Sequence, residues 1–146
     1  MKVYLDACCL RRLTDDQSQL RIREEAEAIE KIFFKVERGL LELVSSEALE
    51  DEVRRNPNME QQTESEALIS MASTTIVVDS DLTRRARRLA SLGYGPYDAL
   101  HLASAEFAEA DVLLTTDDQF EKRAASGIGK PRIPVRNPVS WIQEQS

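Results

Sequence analysis

The stretch Val3–Leu10, VYLDACCL, decides how the rest of the chain is read. Val3, Tyr4 and Leu5 form a short apolar run suited to a buried strand, and KVYLDACCL as a whole is expected to carry the first strand. Asp6 follows that run directly. A carboxylate at the end of a buried strand is expensive unless it is hydrogen-bonded, paired or put to use. Its purpose depends on what else the fold brings to the same place.

Outward from this strand, strand and helix signals alternate. Residues 19–37 place Leu20, Ile22, Ala26, Ile29, Ile32, Phe33 and Val36 mostly at helical spacing, and Gly39 supplies the stop. LLELVSS (40–46) reads as a second strand, with Ser45 or Ser46 capping a helix through EALEDEVRR that Pro57 ends. A further helix is expected over residues 60–72. TTIVVD (74–79) is rich in β-branched residues and reads as the third strand. SDLTRRARRLASLG (80–93) reads as a helix capped by Ser80 or Asp81 and closed by Gly93. Pro96 then opens PYDALHLASAEFAEA at a favourable first-turn position. DVLLTTDD (111–118) is the fourth strand, DQFEKRAASG a helix, and PRIPVRNP a fifth strand held to a sheet edge by its prolines. NPVSWIQEQ is expected to dock Trp141 and Ile142 as a terminal helix. Strands separated by helices imply parallel βαβ units, so the fold class is α/β, a three-layer α/β/α sandwich with a mostly parallel sheet.

Composition agrees with a folded protein. The 146 residues suit one domain spanning 1–146, and 42% hydrophobic with 31% charged residues is ordinary for a globular chain. No run of about 18 apolar residues suggests a membrane span, and no secretory signal is evident at the N-terminus, so a cytoplasmic protein is expected. The adjacent Cys8 and Cys9 suit neither a disulfide with each other nor a zinc site, and read as buried free thiols. A net charge of −7 argues against a generic nucleic-acid coat, which needs excess Lys and Arg, but not against an enzyme that recruits its own cations.

In open parallel sheets, functional groups gather outside the carboxyl ends of the strands. Asp6, Glu47 or Glu52, and Asp117 with Asp118 lie at or near such ends. Asp98 lies in the first turn of a helix that is otherwise apolar on its inner face. Singly, Asp98 suits a helix dipole and Asp117 a helix cap; their recurrence at equivalent positions points to a shared purpose. Crowded carboxylates repel by roughly 4 kcal/mol per close pair at intermediate dielectric, so a cation must compensate or protons must stay on. Oxygen-only ligands suit Mg²⁺ or Mn²⁺ rather than Zn²⁺, and acid-held divalent ions serve phosphodiester hydrolysis.

The segments VYLDACCL, SSEALEDEV, YDALHLASA and LLTTDDQF, in that order, resemble the four acidic motifs of PIN domains and, within them, the VapC-type toxin nucleases. The resemblance covers nearly the whole chain and implies an endoribonuclease using Mg²⁺ or Mn²⁺ and leaving a 5′-phosphate and a 3′-hydroxyl. It also implies a protein antitoxin and a homodimer. It makes Asp6, Asp98 and Asp117 metal-binding catalytic acids. The family's interval from Ser46 lands on Glu52, and Glu52 followed by Val53 matches its pairing of an acid with an apolar residue; Glu47, Glu50 and Asp51 compete for that role.

Thr115, Thr116 and Asp118 are supporting candidates, since a hydroxyl there can orient a carboxylate or a bound water. His101 shares a helical face with Asp98 and reads either as a substrate contact or as a partly buried structural histidine. Arg11 and Arg12 are placed for RNA if their loop rims the crevice. Tyr94 and Tyr97 suit base stacking or packing. Arg84, Arg85, Arg87 and Arg88 suit phosphate binding or a solvated face paired with acids. A haloacid-dehalogenase phosphatase would need a second Asp where Cys8 stands, and a response-regulator receiver would need an acid pair and a lysine that are absent. The remaining rival is a silent PIN-like module acting through a protein partner.

Overall fold

The computed structural model describes residues 1–145. The elements follow as β1 (Lys2–Leu5), α1 (Ala7–Arg11), α2 (Leu20–Glu37), β2 (Glu42–Ser46), α3 (Glu47–Arg54), α4 (Met59–Ile69), β3 (Thr74–Ile76), α5 (Ser80–Ser91), α6 (Pro96–Phe107), β4 (Val112–Leu114), α7 (Asp118–Ala125), β5 (Val135–Arg136) and α8 (Pro138–Glu144). The five strands pair in the order β3-β2-β1-β4-β5, and all neighbours are parallel. The sheet is thus wholly parallel, flanked by helices, and β5 lies at an edge, where its proline-bounded sequence belongs. No helix among the described residues is long and apolar enough to cross a membrane.

The chain begins in the centre of the sheet, moves outward through β2 and β3, then returns to the other side of β1 for β4 and β5. Connections leaving β1 and β4 therefore diverge, which opens a crevice beyond their carboxyl ends. Asp6 bonds across that point, its backbone N–H donating to Leu114 O at 3.2 Å.

Several local expectations change. VYLDACCL is not one extended run: β1 stops at Leu5 and residues 7–11 turn into α1, with Asp6 as its N-cap. Cys9 is buried, whereas Cys8 is only partly so. Ser46, not Ser45, caps α3, its Oγ accepting from Leu49 N at 3.0 Å. Asp79 caps α5 in place of Ser80 or Asp81, its Oδ1 accepting from Leu82 N at 2.9 Å. The third strand ends at Ile76 and is the more exposed sheet edge.

The core joins Val3, Tyr4 and Leu5 of β1, Leu43 and Val44 of β2 and Leu113 and Leu114 of β4 to Ile29 and Ile32 of α2, Leu89 of α5 and Leu102 of α6. Trp141 is buried in it and Ile142 packs against its margin, so α8 docks as its sequence suggests. Tyr94 is also core, its hydroxyl donating to Ile128 O at 2.7 Å, and does not face a substrate.

Candidate active site

Each acid owes its place to a local rule. Asp6 is 2% exposed, and its Oδ1 accepts from Cys9 N at 3.1 Å as the cap of α1. Asp117 caps α7, Oδ1 accepting from Gln119 N at 2.9 Å and Phe120 N at 3.3 Å. Thr115 connects the two: its Oγ1 accepts from Asp117 N at 3.1 Å, and its hydroxyl also bonds to the Asp6 side chain. Asp98 enters from the first turn of α6, after Gly95, where a Cβ would lie 3.4 Å from Asp98 Oδ2.

The four carboxylates feel one another. Burial, then the charges of Asp6, Asp117 and Glu52, raise the Asp98 pKa from 3.8 to about 6. Burial likewise raises Asp6, with partial relief from its Thr115 and Cys9 hydrogen bonds. Of the competing acids on α3, Glu47 accepts from Val78 N at 2.7 Å, Asp51 pairs with Arg55 at 2.8 Å and accepts from Tyr97 Oη at 2.6 Å, and Glu50 lines a separate pocket with Arg54 and Glu66. Glu52 alone of these is among the charges acting on both Asp6 and Asp98, and His101 Nε2 lies 2.7 Å from its Oε1.

Among the described residues, no three His, Cys, Asp or Glu side chains already form a compact metal cage. The donor chemistry nevertheless fits a hard divalent ion: carboxylates from β1, α3, α6 and the β4–α7 turn converge in charge, and a cation would favour the ionised form that Asp98 resists. Burial and the Asp6 charge push the Cys8 thiol up to about 12, so it stays protonated at neutral pH and adds no soft ligand.

The other candidates separate clearly. Thr116 is buried and its carbonyl accepts from Arg21, while Asp118 takes a bidentate contact from Arg21 at 2.7 and 2.8 Å, which lowers its pKa. Arg12 is not free for RNA, because it pairs with Asp15 at 2.7 Å and Glu25 at 2.8 Å. His101 is 1% exposed and inaccessible to substrate, a correction that follows from α6 packing its inner face into the core. Arg85 pairs bidentately with buried Glu106 and is structural, whereas Arg84 pairs with Asp81 at the exposed surface. Arg11 has no carboxylate partner among the described residues; it reaches Cys8 Sγ at 3.7 Å and lines a cavity of about 270 Å³ with Glu52 and Ser65. Tyr97 remains partly exposed above Asp51.

Neither Tyr4 nor Glu25 stands out in the sequence as a site residue, and Ser46 does so only as a helix cap. Tyr4 lies two residues before Asp6, hence on the same side of the extended chain, a signal within reach. Glu25 falls at helical spacing between Ile22 and Ile29, a charged residue on an apolar stripe.

Asp98 makes a pH prediction. Its folded pKa of about 6 exceeds its ordinary 3.8, so the folded state holds the extra proton between these values and stability falls as pH rises from about 4 to about 6, then levels off. The full shift is worth about 3 kcal/mol, and about 1–2 kcal/mol remains after discounting for its partial solvent exposure. Urea denaturation in chelator at pH 4 and 7 should show a larger loss in wild type than in Asp98→Asn, where the raised pKa of Asp6 still contributes a loss of the same sign. The opposite effects of Asp51, Asp118 and Glu144, whose pKa values are lowered by arginine bonds or, for Asp51, first by Tyr97, are common to both proteins and cancel in the comparison.

A wholly parallel sheet with Asp6 and Asp117 just past the carboxyl ends of its neighbouring strands β1 and β4 defines an open α/β fold with a crevice at its switch point. The PIN domain family model matches residues 3–126, and the chain belongs to that family. The fold is similar to VapBC2 from Rickettsia felis, solved bound to a DNA fragment from its promoter, at 16% identity and a TM-score of 0.60, covering 94% of this chain and 98% of that one. It is similar also to Mycobacterium tuberculosis VapC20, a Sarcin-Ricin loop cleaving toxin, at 13% identity and a TM-score of 0.60 over 88% and 97% of the two chains. PAE2754 from Pyrobaculum aerophilum gives 15% identity and a TM-score of 0.55 over 99% and 94%. No curated protein matches the sequence.

Proposed function

We propose that the chain, as one nuclease domain over residues 1–146, is an Mg²⁺- or Mn²⁺-dependent endoribonuclease of the cytoplasm and the toxin of a toxin–antitoxin pair. The observation carrying this is that a chain of the PIN domain family sets Asp6 and Asp117 just past the carboxyl ends of β1 and β4 and surrounds Asp98 with acids, so that burial first and then the charges of Asp6, Asp117 and Glu52 raise its pKa. Asp6, Glu52, Asp98 and Asp117 would hold the ion, which supplies charge neutralisation and water activation for phosphodiester hydrolysis.

The chain's own residues then have distinct tasks. Thr115 orients Asp6 and Asp117 together. Arg11, lacking a carboxylate, contacts an RNA phosphate, and Tyr97 offers a partly exposed ring to a base. Arg12 and His101 have no direct part in substrate binding, and Asp118 supports the turn bearing Asp117. The Rickettsia protein and the sarcin–ricin-loop toxin support an antitoxin partner and an RNA substrate respectively. A homodimer belongs to the same reading.

Calorimetric titration of Mn²⁺ into metal-free protein tests it. Wild type should bind, and Asp98→Asn should bind at least about 10-fold more weakly. A wild type that binds no Mn²⁺ would redirect the reading to a silent PIN-like module working through a protein partner.

A further inference from the structure

Behind the acids runs a buried polar chain that the metal chemistry does not itself require. His101 Nδ1 lies 2.7 Å from Tyr4 Oη and its Nε2 lies 2.7 Å from Glu52 Oε1; Tyr4 Oη is also 2.7 Å from Ser46 Oγ. Tyr4 and Ser46 are fully buried and His101 nearly so, and no water is needed to satisfy any of these atoms. We infer that Tyr4 and His101 are positioning residues that fix the Glu52 carboxylate for the divalent ion, His101 through its contact to Oε1 and Tyr4 by anchoring the far side of the imidazole ring. This rests on the nuclease reading above.

The direction of the chain follows from donor and acceptor inventory. An ionised Glu52 can only accept, so Nε2 must donate to it. A neutral imidazole then has a bare Nδ1, which must accept, and the Tyr4 hydroxyl is the donor at hand. Burial holds that phenol protonated, its pKa well above the usual value. Tyr4 Oη accepts in turn from Ser46, whose Oγ accepts from Leu49 N at 3.0 Å. The other neutral tautomer would set two lone pairs against each other at the Glu52 contact.

The placement of these residues gives the chain its use. Tyr4 precedes Asp6 by two residues on β1, His101 follows Asp98 by three on α6, and Ser46 caps the helix that carries Glu52. One network therefore ties together the backbone segments of three acids. Glu52 is a long side chain, partly exposed, and among the described residues His101 is the hydrogen-bond partner its carboxylate has. With Oε1 held, Oε2 is the oxygen left for a cation. Hydrogen bonds to a metal-binding carboxylate or imidazole from such partners typically change affinity by about 10–100-fold.

The sequence contains one histidine, so its ring signals need no assignment by mutagenesis. Long-range ¹H–¹⁵N NMR of metal-free protein should show Nε2 protonated, as the contact to Glu52 requires. Tyr4→Phe, which keeps the ring and removes only the hydroxyl, should keep that proton and lose the ring's second anchor. In Mn²⁺ calorimetry Tyr4→Phe should weaken binding about 10-fold, His101→Asn at least as much, and His101→Gln, whose amide can replace Nε2–H, should recover part of the loss. In a Glu52→Gln background, Tyr4→Phe should have no further effect. An Nε2 that carries no proton, wild-type affinity in Tyr4→Phe, or an additive loss in the Glu52→Gln background would each overturn the inference. Wild type that binds Mn²⁺ while Tyr4→Phe binds equally rejects this inference alone; wild type that binds none rejects the nuclease reading and the network's purpose with it.

Discussion

Asp6→Asn is expected to lower RNA cleavage by about 10³-fold or more while leaving the protein folded. The magnitude corresponds to about 4 kcal/mol of transition-state stabilisation, in the range supplied by a metal's charge. The substitution separates chemistry from structure because Asn caps a helix as well as Asp, so the contact from Cys9 N survives. It also removes a buried negative charge whose pKa is raised by desolvation, so thermal stability should be unchanged or slightly higher. The measurement is Mn²⁺-dependent cleavage of an RNA that wild type cuts, with the variant purified identically to control for contaminating nuclease. Retained cleavage by Asp6→Asn would remove Asp6 from the site; lost cleavage with an unchanged melting curve would support its catalytic place.

The sequence was most readable where apolar period and punctuation agreed. Pro96 at the first turn of α6, the prolines around β5 and the β-branched and aliphatic runs of β2 and β4 all led to elements of the right kind, and the alternation led to a parallel α/β fold. Short elements escaped. At five residues α1 is too brief to show a helical period, and Cys and Leu suit a strand equally well. At Asp79, Ser80 and Asp81, three cap-forming residue types stand in a row, and only the hydrogen bond to Leu82 N selects the first. TTIVV looks like a buried strand but forms a sheet edge, because strand order is set by crossovers between distant segments.

The site was less readable for the same physical reason. Residues 47–52 offer Glu47, Glu50, Asp51 and Glu52 within two helical turns, and helical position by itself ranks none above the others, although the family resemblance favours Glu52 through its interval from Ser46 and the Val53 beside it. What separates them is tertiary: Val78 takes Glu47, Arg55 and Tyr97 take Asp51, and His101 takes Glu52. Arg11 and Arg12 are adjacent in sequence and opposite in circumstance, since a residue on α2 occupies one and leaves the other.

That residue, Glu25, is where the largest stability loss is expected. It is 1% exposed, and its carboxylate accepts from Arg12 Nε at 2.8 Å, Arg21 Nε at 3.2 Å and Asn137 Nδ2 at 2.7 Å. Glu25→Ala would leave Asn137 Nδ2 and Arg12 Nε partly buried without their acceptor, Arg12 keeping only Asp15, and breaking such a buried pair typically costs about 3–5 kcal/mol. Because Arg21 is half exposed and can turn to water, the lower end, about 3 kcal/mol, is expected. Urea denaturation measures it directly. The consequence reaches the acids: Arg21 also holds Thr116 O and Asp118, the turn that presents Asp117, and losing Glu25 removes one of its anchors. Glu25→Ala should therefore weaken Mn²⁺ binding even where it remains folded, by far less than Asp6→Asn does. A stability loss under about 1 kcal/mol would mean that the arginines find equal hydration when released, and that Glu25 is a solvated surface pair despite its burial.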